Sequence, residues 1–180
     1  MLNIYISVII VCFLTTCGYS QDEELFSWET AKVNNKLPLT LTYKEFEGVY
    51  KKKADSITAP LPEQICGTEA EKSAKMVYYR GARYEMDNGV MNFRELDFSP
   101  RKNMFFQQKD DWFDHTTSLK GFSKTYPIAV SAAEEEQDDD DTEPWKVVTL
   151  LPQEKELGCL WLFYFKKGKL KKIKCEFSCN

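Results

Sequence analysis

The chain has 180 residues, with 24 Lys and Arg against 28 Asp and Glu, a net charge of −4, and aromatic side chains at 14%. That balance argues against a nucleic-acid partner, which requires a surplus of cations along its contact face. The aromatic share exceeds the needs of a minimal core and points to an interior lined with rings, although core packing alone also uses them.

Residues Ile4 to Leu14 are almost wholly apolar, no charge appears before Asp22, and Gly18-Tyr19-Ser20 brings small residues to a cleavage point. The apolar stretch is too short to span a bilayer comfortably, and no longer one follows. Residues 1–20 therefore read as a signal peptide and 21–180 as a single secreted, extracellular domain without a transmembrane segment; a short membrane anchor is the alternative. About 160 residues then remain, enough to enclose one core.

The pattern from Glu23 to Val33 predicts a short helix or turn that plugs against the body through Trp28. Leu39 to Tyr43 alternates as a strand does, and Phe46 to Lys52 predicts a better one. Further strands are expected over Ser73 to Tyr79, Ala82 to Met86 and Val90 to Phe98. Asp87-Asn88-Gly89 supplies a hairpin turn, because Asn-Gly tolerates positive φ at both central positions. Within Val90 to Phe98, the alternation puts Met91, Phe93 and Glu95 on one face, and Leu96 and Phe98 on the other. Met104 to Gln107, Trp112-Phe113 and Phe122 to Val130 are three more candidates, the last weakened by Pro127.

The acidic tract within Ala132 to Glu143, with its 134–143 loop, reads as a solvated, mobile connection. Trp145 to Leu151 is a clear strand. Leu160 to Phe165 is another, rich in aromatics, and it turns through Lys167-Gly168-Lys169 into a basic C-terminal segment. Short strands with turns between them, and no long amphipathic helix, predict an all-β barrel or sandwich.

Loss of the leader removes Cys12 and Cys17 and leaves Cys66, Cys159, Cys175 and Cys179. An even number in an oxidising compartment predicts two disulfides. Cys175 and Cys179 are too close to each other for a useful staple, so each is expected to reach elsewhere, to Cys66 or Cys159. With one histidine, His115, and no CxxC pair, no metal site or cofactor is expected. His115 beside Asp114 lacks a placed nucleophile, and no GxSxG, HExxH or phosphate loop occurs, so no catalytic residue is assigned and the chain is not expected to be an enzyme.

Three segments carry a family resemblance. Gly158-Cys159-Leu160-Trp161-Leu162 resembles the late-strand Cys-Glu-Leu-Trp motif of the tick salivary lipocalins, the secreted group that includes histamine-binding proteins. Cys175-Glu176-Phe177-Ser178-Cys179 resembles that family's closing cysteine segment, and Cys66 its first structural cysteine. The resemblance implies an eight-stranded antiparallel lipocalin-like barrel with short N-terminal and C-terminal helices. It also implies pairings of Cys66 with Cys179 and of Cys159 with Cys175. Such a barrel holds one small ligand, in this family a host mediator: an amine such as histamine or serotonin, or a leukotriene or other fatty-acid lipid.

The chain departs from the family's amine pattern, with Lys146-Val147-Val148 where Cys-Asp-aliphatic is expected and Cys159 at the Glu position. An ammonium ligand needs inward carboxylates and an aromatic cage. The candidate ligand-binding residues are Tyr79, Phe93, Glu95, Trp112, Asp114, Trp161 and Tyr164, each of which could equally serve packing. Alternation allows only one of the sets Trp161/Phe163 and Leu162/Tyr164 to face inwards. The expected protein is a monomer that sequesters a small molecule. The alternative is a binder of a host protein, such as a complement or cytokine inhibitor, acting through its outer loops.

Overall fold

The computed structural model describes residues 24–51, 53–60, 74–100, 103–137, 143–155 and 158–177. Cys66, Cys179, residues 1–23 (which include the expected signal peptide) and residues 138–142 of the acidic tract lie outside them. The strands in chain order are β1 (Leu25–Phe26), β2 (Ala31–Val33), β3 (Leu37–Pro38), β4 (Thr40–Thr42), β5 (Ser56–Thr58), β6 (Lys75–Tyr79), β7 (Ala82–Asp87) and β8 (Val90–Asp97). They continue with β9 (Phe106–Gln108), β10 (Asp111–Phe113), β11 (Glu134–Glu136), β12 (Trp145–Pro152), β13 (Cys159–Lys166) and β14 (Lys169–Phe177). Among the described residues three short helices interrupt them: α1 (Tyr43–Tyr50), α2 (Leu119–Phe122) and α3 (Pro127–Ser131).

The all-β expectation holds. Among the described residues the strands form a ten-stranded sheet, ordered β1-β12-β13-β14-β8-β7-β6-β5 with β11 on β12 and β4 on β8, and a four-stranded sheet, ordered β10-β9-β2-β3. The sheets are not closed into a barrel. An up-and-down cylinder pairs each strand with both sequence neighbours; here β8 pairs with β7 on one side, but its other side takes β14 rather than β9, Ile173 opposite Leu96. The β1–β12 pair is parallel, with Leu25 opposite Leu151.

Hairpin chemistry is where the sequence and the backbone agree most closely. Arg80-Gly81, Asn88-Gly89 and Lys167-Gly168 all have positive φ at both positions, the signature of two-residue turns whose twist matches that of the strands. At Gly81 a side chain is excluded outright, since a Cβ there would lie 2.3 Å from the Asp97 carbonyl oxygen.

Several elements differ from the sequence expectations. The expected helix over Glu23 to Val33 is the pair β1 and β2 with a turn at Trp28: Ala31 and Val33 are buried on either side of exposed Lys32, a strand period. Trp28 is buried as expected, ring to ring with Trp161 at 5.7 Å, its indole N–H donating to Thr40 Oγ1 at 3.1 Å. The expected strand over Phe46 to Lys52 is α1. Its start is fixed by a capping box in which Thr42 Oγ1 accepts from Glu45 N and Glu45 accepts from Thr42 N. That local chemistry outweighs the strand-like residues Val49 and Tyr50.

Phe122 to Val130 is not a strand but belongs to α2 and α3, with Ser118 capping the first and Pro127 opening the second. The first three glutamates of the acidic loop are strand β11, paired to β12, rather than an unstructured connection. No C-terminal helix occurs among the described residues, because β14 continues to Phe177.

Candidate functional site

The interior lies between the two sheets and is made of rings. On β13, Cys159, Trp161, Phe163 and Phe165 face inwards and are buried, while Leu160 and Tyr164 face out. Parity therefore selects the Trp161/Phe163 set. Phe93 arrives from β8 and meets Phe106 from β9 at 5.3 Å, and Phe26, on β1, meets Phe106 at 5.9 Å. Trp161 has ring centroids of Phe26 at 5.0 Å, Phe106 at 5.7 Å and Phe93 at 6.1 Å. A second group continues the cluster: Phe163 meets Phe122 at 4.8 Å and Phe113 at 5.9 Å. Tilted and edge-on geometries dominate, as the ring quadrupoles favour.

Among the described residues, the buried side chains classed as polar or charged are Ser27 and Gln108, and none is acidic. Gln108 is satisfied by the Tyr126 hydroxyl, which donates to its Oε1 at 3.2 Å. Burial, aided by the Asp111 and Glu24 charges, pushes the Tyr126 phenol well above its ordinary range, so it remains a donor. Trp161 has no such partner. Its Nε1–H is buried and unbonded while the residue is 0% exposed, an arrangement that costs free energy and marks a place for an acceptor.

Of the candidate residues, Phe93 and Trp161 share this interior. Tyr79 is also buried but sits further along, edge-on to Phe46 at 5.2 Å. Glu95 is not on the face of Phe93. A bulge between Arg83 and Tyr84 in the β7–β8 ladder shifts the register, so Leu96 and Phe98 face inwards with Met91 and Phe93. Glu95 instead accepts from Arg83 at 3.3 Å on the outer face, beside the Glu85–Arg94 ion pair.

Asp114 belongs to a turn. Burial raises its carboxyl, but bonds from Thr116 N at 2.7 Å and Thr116 Oγ1 at 2.6 Å outweigh it and hold the group below the usual carboxylate range. Tyr164 lies on the outer face under the Lys172 ammonium, 5.2 Å from its ring centre. Burial first, then Glu136, Glu176 and Glu95, push its phenol up to about 12. Trp112 is on the outer face of the small sheet.

Cys159 and Cys175 are both buried at the end of the interior nearest Phe177, as diagonal neighbours across the β13–β14 ladder. Burial drives the Cys175 thiol far up. Among the described residues no group of three or more His, Cys, Asp and Glu side chains is placed to hold a metal ion. No described helix is long and apolar enough to cross a membrane.

Sequence reasoning missed Phe26, Phe106, Phe113 and Phe122 as interior residues. Phe26 and Phe122 were hidden by wrong element types. Phe106 and Phe113 lie in segments expected as strands, but each adjoins another aromatic, Phe105 and Trp112, so parity alone did not say which ring faces inwards. No family model matches this sequence, and neither a curated protein nor a solved structure matches it.

Proposed function

We propose that this chain is a secreted, non-catalytic carrier of the lipocalin type that sequesters an apolar mediator, a leukotriene or other fatty-acid lipid, among its interior rings. The reading rests on one observation, the buried and unpartnered indole N–H of Trp161 at the centre of the aromatic cluster. A lipid needs apolar walls and one oxygen to accept from that donor. An ammonium ligand would need a carboxylate beside it, and no buried acid is present among the described residues. The lipid is therefore preferred to histamine or serotonin.

The resemblance to the tick salivary lipocalins supplies the rest of this reading: an extracellular monomer, the eight-stranded cylinder as its finer architecture, and sequestration rather than turnover. The cylinder is testable by cross-linking. Cysteines placed at Asp97 and Lys172 join if β14 lies along the side of β8 away from β7, and fail to join if β9 takes that side. Tryptophan fluorescence titrated with arachidonic acid and, in parallel, with histamine tests the ligand. Saturable binding of the lipid with Kd below about 10 μM is expected, a scale suited to capturing a scarce mediator. No binding of the lipid at that level overturns the proposal.

A second reading, a binder of a host protein, is favoured by the mutual contact of the interior rings, which already fill space that a ligand would occupy. In that case recognition belongs to the outer surface.

A further inference from the structure

Among the described residues four rings lie against Trp161, and two of them belong to one short segment. Phe26 and Trp28 approach its indole at 5.0 and 5.7 Å, Phe106 at 5.7 Å and Phe93 at 6.1 Å. Phe26 is 0% exposed and also meets Phe113, Tyr126 and Phe163, at 6.0, 6.4 and 5.2 Å. Its ring fills the middle of the cluster that holds the unbonded Trp161 N–H.

The segment carrying Phe26 and Trp28 is held by less backbone than its neighbours are. Phe93 is on β8, which has β7 along one side and β4 and β14 along the other. Phe106 is on β9, between β2 and β10. Phe26 is on β1, two residues long, paired parallel to β12 and with no strand among the described residues on its far side. Parallel pairing is the weaker kind, and so short a strand leaves few backbone bonds to hold it. Carboxylates supply the remaining ties at the two ends. Glu24 accepts from Ile128 N at 2.9 Å and Ala129 N at 2.8 Å, and Glu154 accepts from Ser27 Oγ and Trp28 N. None of these four bonds is fully buried, so water can replace each as it breaks.

We infer that residues 24–28 are a strap that fills the ligand's place in the free protein, and that the apolar mediator enters by lifting Phe26 and Trp28 off Trp161, a route that rests on the lipid-carrier reading. An acyl chain laid there restores apolar contact to Phe93, Phe106 and Phe163, which offsets the burial lost with Phe26. Those three rings stay in position, because β8, β9 and β13 are each paired on both sides. Affinity is reduced by the share of molecules whose strap is closed. Holding the strap shut therefore weakens binding, and emptying its place strengthens it.

The test locks the strap with a new disulfide. Leu25 and Leu151 are opposite in the β1–β12 register, and Leu151 is 49% exposed, so Leu25→Cys with Leu151→Cys joins them at the surface. The oxidised double variant, its new bond verified by peptide mapping, is expected to bind arachidonic acid at least about tenfold more weakly than the parent. Reductant should restore the affinity, with the parent carried through the same treatment. Phe26→Ala should bind about tenfold more tightly than the parent. Hydrogen exchange of the ligand-free parent adds a readout that needs no lipid: the Trp28 amide should exchange at least about a hundredfold faster than the central amides of β13. Exchange at Trp28 as slow as in β13 overturns the inference. So does a parent that binds the lipid but whose affinity is changed neither by the lock nor by Phe26→Ala. A strap that opens in a parent taking no arachidonic acid upholds the opening and overturns the lipid-carrier reading.

Discussion

Cys159 and Cys175 lie diagonally across the β13–β14 ladder: Cys159 is opposite Phe177, Cys175 is opposite Trp161, and both side chains are buried. In an oxidising compartment this pair is expected to close as a disulfide, the pairing that the lipocalin resemblance implies. Alkylation under denaturing, non-reducing conditions should then leave both residues unlabelled. Labelling of both in protein secreted from an oxidising compartment would rule the bond out. Closing a loop of about 15 residues is worth about 3 kcal/mol, so reduction should lower the midpoint of unfolding.

Gly81 is predicted to be intolerant of any side chain. With φ at +93° and the Asp97 carbonyl oxygen 2.3 Å from where an added Cβ would lie, Gly81→Ala strains the turn and pushes on β8 together. A loss of about 1–3 kcal/mol is expected from the backbone alone, read as a lower denaturant midpoint. An unchanged midpoint would mean that the β6–β7 turn adopts another conformation.

Glu154 ties the chain's early turn to its late strands. It accepts from Ser27 Oγ at 2.7 Å and from Trp28 N at 2.9 Å. Burial raises its carboxyl, but these bonds together prevail and hold it below the usual carboxylate range. A depressed folded value contributes stability above the unfolded value and loses it as pH falls through the folded one. Glu154→Gln should therefore cost about 1 kcal/mol near neutral pH, discounted for its exposure, with the difference from the parent shrinking below about pH 4. A difference that stays constant from pH 7 to pH 3 would contradict the assignment.

Trp161→Phe removes the unpartnered N–H while keeping a ring in place. Lipid affinity should fall about tenfold, the value of one hydrogen bond of about 1.4 kcal/mol, while stability changes little because a buried unsatisfied donor is lost along with some packing. Phe163→Ala, by contrast, should cost about 3–5 kcal/mol of stability. If both variants bind lipid as the parent does, the ligand does not contact Trp161.

The all-β class, the turns at Asn88-Gly89 and Lys167-Gly168, and the shared face of Trp161 and Phe163 were legible because each depends on residues within one or two turns of one another; which face of that strand turns inwards was not. Two-residue turns and strand parity are local properties. The misplaced elements had local chemistry too, but of a kind that hydrophobic patterning does not reveal: Thr42 and Glu45 start a helix on a stretch that looks like a strand. Glu95 could not be placed from parity, because a single bulge moves every residue after it to the other face. The pairing of β8 with β14 was wholly out of reach, since nothing in either segment names its neighbour.

That last pairing sets an order of assembly. Along one side, β8 is joined at Val90–Asn92 by β4 and at Glu95–Asp97 by β14, segments drawn from opposite ends of the sequence. A nascent chain that stops short of Lys169 has nothing to lay along the second half of that side, and its backbone amides there stay bare and adhesive. C-terminal truncation should consequently give clumping rather than a smaller soluble protein.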